Sequence, residues 1–155
     1  YTSKGYTSVD QAASGGTVVL NSDPANTARG LKLLQTAGLI TLDPSVEIPS
    51  DLDVTANPKN LKLVTVDGAQ VAASMADAEL AVINGNYALQ AGLVPSRDAL
   101  VLDPGEHSPY ANELVVRTAD KGNEHLVKLA GLMNSPELKA YIEQTWTDGS
   151  VIPAF

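Results

Sequence analysis

A short apolar run that passes straight into a helix start constrains this chain most. Residues 17–21 are apolar and β-branched and follow Gly15-Gly16, which predicts a buried strand. Asp23-Pro24 comes at once. An acidic N-cap followed by proline at the first helical position starts a helix, because proline has no N–H to leave unsatisfied there. That helix is expected to run to about Ala37, with Ala28, Leu31 and Leu34 inward and Gly38 as its left-handed stop. The pattern then recurs: residues 61–66 read as a strand, 69–76 as a short helix, 80–84 as a second buried strand, and 85–91 as a helix stopped by Gly92. Strands alternating with helices predict an α/β fold whose parallel or mixed sheet carries helices on both faces.

The remaining segments are less regular. Ser8-Val9-Asp10-Gln11 has the form of a capping box, predicting a short helix that ends at Gly15-Gly16. Residues 42–60 are punctuated by Pro44, Pro49 and Pro58 and read as a surface excursion, with one short helix over 51–56 capped by Ser50 with Asp53 three residues on. Residues 99–102 are expected to form a strand that leads into the loop 103–109, and residues 113–117 another strand. Two helices finish the chain. Leu126, Leu129, Ala130 and Met133 repeat at i, i+3, i+4 and i+7, and Pro136 opens a second helix with Leu138, Tyr141, Ile142, Thr145 and Trp146 on its apolar side.

Composition excludes several function classes. A chain of 155 residues with 44% hydrophobic residues can bury one core or two small lobes, but not two full-sized domains. Its apolar runs fall far short of the roughly 20 residues a membrane helix needs. With 10 basic and 18 acidic side chains the net charge is −8, which would repel phosphate backbones and anionic lipid, so nucleic acid is excluded as a partner. The absence of cysteine excludes disulfides, thiolate nucleophiles and Cys-ligated metals. No G-x-S-x-G, G-x-x-x-x-G-K, G-x-G-x-x-G or H-E-x-x-H motif occurs. His107 with Asp103 and Glu106 offers oxygen and imidazole ligands on one loop, against the simpler reading of a solvated loop. His125 reads as a surface helix residue, and Ser108 beside His107 lacks an orienting acid. No metal site, cofactor or catalytic constellation is implied, and an enzyme is not expected.

The positive signal lies at strand ends. In open α/β sheets ligands bind outside the carboxyl ends of the strands, where helix N-termini present N–H groups. The segment 21–26, including Ser22, is such a place. Arg29 lies in the second turn of the following helix, and a long helical side chain leans back toward the N-terminus. Its guanidinium suits a carboxylate; an ordinary solvated arginine fits the spacing as well. Asn84 ends a strand just before a helix and can serve both an amino group and a carboxylate, or act as an N-cap. Asn112 precedes the strand expected at 113–117 and reads equally as a turn residue.

Five motifs in order, residues 23–29 with 31–34 and 37–40, Asn57-Pro58-Lys59-Asn60-Leu61, Ala81-Val82-Ile83-Asn84-Gly85-Asn86-Tyr87-Ala88, Ser108-Pro109-Tyr110-Ala111-Asn112 and the ending Ile152-Pro153-Ala154-Phe155, resemble the NlpA/MetQ family of methionine-binding lipoproteins that feed ABC importers. The resemblance implies a type II periplasmic-binding-protein-like lobe, with two further C-terminal helices. It implies that Arg29 holds the ligand carboxylate and that Asn84 and Asn112 contact the amino-acid head group, with Ser22, Tyr87 and Tyr110 as further candidate contacts. Family members usually carry Asn directly before Asp-Pro and Thr or Ser after it, where this chain has Ser22 and Ala25.

The same resemblance implies an organisation. Residues 1–6 would be a crossover between lobes, 7–103 the second lobe, 104–112 the return crossover, and 113–155 a strand and helices belonging to the first lobe. The upstream part of that lobe, with the lipid-attachment cysteine and the aromatic residues around the methionine side chain, would lie before Tyr1. The C-terminal helices would then expose an apolar patch that repacks or drives self-association. The implied ligand is L- or D-methionine or a related amino acid, the implied partner an ABC permease and ATPase, and the implied location extracytoplasmic on a lipid anchor. The alternatives are a lobe for another amino acid or a dipeptide, and the effector-sensing domain of a transcription regulator.

Overall fold

The structure, a computed structural model, describes residues 1–103 and 108–155. It divides into two compact units, Tyr1–Asp103 and Pro104–Phe155.

The first unit is built on β1, Thr17–Asn21, whose three middle residues are buried. It lies between β4, Lys62–Val66, and β5, Leu80–Ala81, and both pairings are parallel. Because side chains alternate along a strand, Val18 and Leu20 share one face and Val19 takes the other. Val18 and Leu20 pack with Leu31 and Leu34 of α1, Pro24–Thr36, and with Leu39, Ile40 and Leu61. Val19 packs with Val71 of α2, Gly68–Ser74, and with Ile83 and Ala88, the last on α3, Gly85–Gln90. A parallel sheet covered on both faces is the expected result. Each fully buried leucine or valine contributes about 1.5–3 kcal/mol. α1 begins as predicted, with Asp23 as N-cap and Pro24 at its first position, and the chain leaves it through Gly38 at φ 75°.

Four local expectations are corrected here. The helix expected over 51–56 is a single 3-10 turn, Asp51–Asp53, followed by β3, Val54–Ala56, which runs antiparallel to β2, Thr41–Leu42. The Ser50–Asp53 box does form, with Ser50 N–H donating to Asp53 Oδ2 at 2.7 Å. It closes only one turn, because the β-branched Val54 and Thr55 find a strand partner. The strand expected at 99–102 does not form either. Asp98 Oδ2 accepts from Val94 N–H at 2.7 Å and draws the preceding residues into a short helix, α4, Pro95–Asp98, after which Leu100 packs against the β1–α1 core as a loop residue. At the start of the chain the Ser8–Gln11 box closes one 3-10 turn, Val9–Gln11. The second strand is shorter than expected, because the chain leaves the ladder after Val82 N–H donates to Val19 O at 2.9 Å.

The second unit carries α5, Glu124–Met133, and α6, Pro136–Thr145. Asn123 and Ser135 cap them through side-chain oxygens. No residue of either helix is buried, and Leu129, Leu132, Met133 and Tyr141 are exposed. Tyr141 and Trp146 meet edge to face at 6.2 Å. The strand expected at 113–117 is not formed: a strand needs a ladder partner, none pairs with it among the described residues, and Val115 is 84% exposed.

Candidate functional site

The carboxyl end of β1 turns into α1 within two residues. Ser22, which is exposed, extends the β1–β4 ladder by donating its N–H to Val66 O at 2.8 Å. Asp23 then caps the helix, its Oδ1 accepting the Asn26 N–H at 3.0 Å, while Thr27 N–H donates to Asp23 O at 2.7 Å. The first-turn donors that the sequence offered to a ligand are therefore partly spent on the chain itself.

Side chains here form a closed polar ring. Asn26 Nδ2 donates to Asp23 Oδ1 at 2.9 Å, Asn84 Nδ2 donates to Asn26 Oδ1 at 2.7 Å, and Asn21 Nδ2 donates to Asn84 Oδ1 at 3.0 Å. Asn21 Oδ1 accepts the Asp23 N–H at 3.0 Å and closes the circuit. Asn84 stands at the N-cap position of α3 but makes no capping hydrogen bond. Its amide is committed to the ring instead. Asn21 has room there because residue 68 is glycine: a Cβ at that position would lie 2.6 Å from Asn21 Nδ2 and 2.9 Å from Tyr87 Cε2.

Arg29 lies three residues beyond Asn26, and so on the same side of α1. Its Nε donates to Asp103 Oδ2 at 2.7 Å, with side-chain exposures of 34% and 28%. The pair is partly exposed, so solvent screens it and it adds little to stability. Tyr87 is half-buried and packs against the second face of the sheet. In the second unit, Asn112 is exposed in an irregular segment, and the Tyr110 N–H donates to Ser108 Oγ at 3.2 Å. Glu106 and His107, considered above as metal ligands with Asp103, lie outside the described residues.

Reading the sequence singled out Arg29 and Asn84, but not Asn21, Asn26, Gly68 or Asp103 as their partners. Asn26 carried a usable signal, since an amide three residues after an N-cap acid is the capping-box position.

A family model described as NlpA lipoprotein matches residues 1–155. The chain belongs to the NlpA lipoprotein family. Among its relatives, the D-methionine-binding lipoprotein MetQ of Escherichia coli K12 is 40% identical over 152 residues, which is 96% of this chain and 56% of the relative. The chain thus spans about half the length of the curated NlpA relatives it matches. A nutrient binding protein from Burkholderia cenocepacia, solved bound to methionine, superposes with a TM-score of 0.92 at 38% identity, covering all of this chain and 65% of that one. A periplasmic substrate-binding protein of an ABC transporter from Coxiella burnetii gives 0.91 at 41% identity, over 99% and 64%. The α/β architecture of this NlpA family member is therefore that of periplasmic substrate-binding proteins.

Proposed function

We propose that this chain is the second lobe and C-terminal segment of the methionine-binding component of an ABC importer. The observation that carries the reading is Asn84: it holds an N-cap position, withholds its side chain from the cap, and is fixed in a polar ring on the same α1 face as Arg29. Arg29 would hold the ligand carboxylate by charge-assisted hydrogen bonds, and Asn84 the amino-acid head group. Asn112 would complete the head-group contacts, with Ser22, Tyr87 and Tyr110 at the margins. Residues 7–103 are the lobe, 1–6 and 104–112 its crossovers, and 113–155 complete the other lobe. The names of the MetQ relatives and the methionine-bound neighbour support this ligand, the lipoprotein names of the family and its MetQ relatives support an extracytoplasmic, lipid-anchored location, and the ABC-transporter neighbour supports delivery to a permease. The role is binding and delivery, without catalysis. The unburied apolar side chains of α5 and α6 would make the isolated chain self-associate, which light scattering across a concentration series reads directly. A constant monomer mass would exclude that.

Calorimetric titration of the full-length protein with L- and D-methionine tests the assignment. Saturable binding of either enantiomer is expected, and Arg29→Ala should weaken it by about 2–5 kcal/mol, roughly 30-fold or more. No binding of either enantiomer by the full-length protein would overturn the methionine assignment.

A further inference from the structure

Three amides in one hydrogen-bonded ring could in principle point either way around it, since an amide carries a donor end and an acceptor end of nearly equal shape. Here the direction is imposed by Asp23, which terminates the circuit at both ends. Its carboxylate only accepts, so Asn26 must present Nδ2 to it and turn Oδ1 toward Asn84. Its backbone N–H only donates, so Asn21 must present Oδ1 to it and turn Nδ2 toward Asn84. Asn84 is caught between an acceptor on the α1 side and a donor on the β1 side. Turning over any one amide would set two N–H groups, or two carbonyl oxygens, against each other and lose two hydrogen bonds.

The geometry points to Asn21, Asn26 and Asp23 as positioning residues that fix the polarity of the Asn84 amide, and through it the orientation in which an amino-acid head group is held. After its two ring bonds Asn84 keeps one N–H and one lone pair. The N–H belongs to the edge facing Asn26, on the side of α1 that also carries Arg29. The lone pair belongs to the edge facing Asn21. A ligand carboxylate is therefore read by Arg29 and the amide N–H together, and the ammonium group by the amide oxygen on the β1 side. Gly68 maintains the arrangement from a third element, since a methyl group there would displace Asn21 Nδ2 from 2.6 Å away. This inference rests on the head-group role proposed for Asn84, and its test separates the two.

Asn21→Asp is nearly isosteric but replaces the donor facing Asn84 with an acceptor, while still accepting the Asp23 N–H. It forces the Asn84 amide to turn over and break with Asn26. In the full-length protein, titrated with methionine, Asn21→Asp is expected to lower affinity at least tenfold with a melting temperature close to the parent's. In the unliganded protein it should shift the Asn84 side-chain amide resonances. Should Asn21→Asp melt well below the parent, Gly68→Ala displaces the same amide without a charge and is read in the same way. Affinity within twofold of the parent in the folded variant, while Asn84→Ala loses binding, would overturn the positioning role and leave the head-group role standing. Unchanged methionine affinity in Asn84→Ala would overturn both.

Discussion

Asn84 precedes α3 in the first unit and Asn123 precedes α5 in the second, with nearly the same backbone: φ −64° and ψ 143° against φ −66° and ψ 122°. Asn123 does what this position favours, its Oδ1 accepting from His125 N–H at 3.0 Å and Leu126 N–H at 3.3 Å. Asn84 makes no such bond and gives both ends of its amide to Asn21 and Asn26. Local preference is the same at the two sites, so tertiary neighbours decide the difference. β1 and α1 bring two further amides to Asn84, whereas the side-chain oxygen of Asn123 accepts from the first turn of the helix that follows it. The surroundings differ in the same way. Leu31 on α1 is fully buried, while Leu129, on an equally regular apolar stripe, is 41% exposed.

The largest effect that would sharpen this contrast is in the cores. Leu31→Ala should destabilise the first unit by about 2–5 kcal/mol in denaturant unfolding, and Leu129→Ala should cost about 0.5 kcal/mol or less. Equal costs would show that α5 is packed as tightly as α1. Next in size are the caps. Asn123→Ala should lower the stability of α5 by about 1 kcal/mol, seen as faster amide exchange in its first turn, whereas Asn84→Ala removes no cap from α3.

Much of the first unit was legible because its signals are local and agree with its packing. The apolar run of β1, the Asp23-Pro24 start and the Gly38 stop each specify backbone geometry within a few residues, and Ala28, Leu31 and Leu34 are buried as their spacing required. Residues 113–117 have strand composition but no ladder partner among the described residues, and composition cannot supply one. The same limit applies to the site. Arg29 and Asn84 stand out as candidates from their places at strand and helix ends. Asn21, Gly68 and Asp103 do not, because each acts through a residue 63, 47 or 74 positions away, onto Asn84, Asn21 or Arg29.

The smallest expected effect concerns the latch that ties the first residues to the lobe. The Tyr6 hydroxyl donates to Glu79 Oε1, which also accepts the Ala13 N–H at 2.9 Å. The hydrogen bond from Tyr6, followed by that from Ala13, holds the Glu79 carboxyl below its ordinary value of 4.5. The same bond to Glu79, with lesser contributions from desolvation and charge, holds the Tyr6 hydroxyl above its ordinary 10.0. The lowered carboxyl contributes stability that is fully present above pH 4.5 and is lost as pH falls through its folded value. The raised hydroxyl contributes stability that is fully present below pH 10 and is lost as pH rises through its own. Melting temperature measured against pH should therefore decline slightly at both ends, with Glu79→Gln flattening the acid limb and Tyr6→Phe the alkaline one.

The contrast between the two asparagines is tested most directly by titrating methionine into the full-length protein and its Asn84→Ala variant, with Asn123→Ala as the matched control. A loss of at least tenfold in affinity for Asn84→Ala, with Asn123→Ala binding as the parent does, is the predicted result. Asn84→Ala binding methionine within twofold of the parent would contradict it.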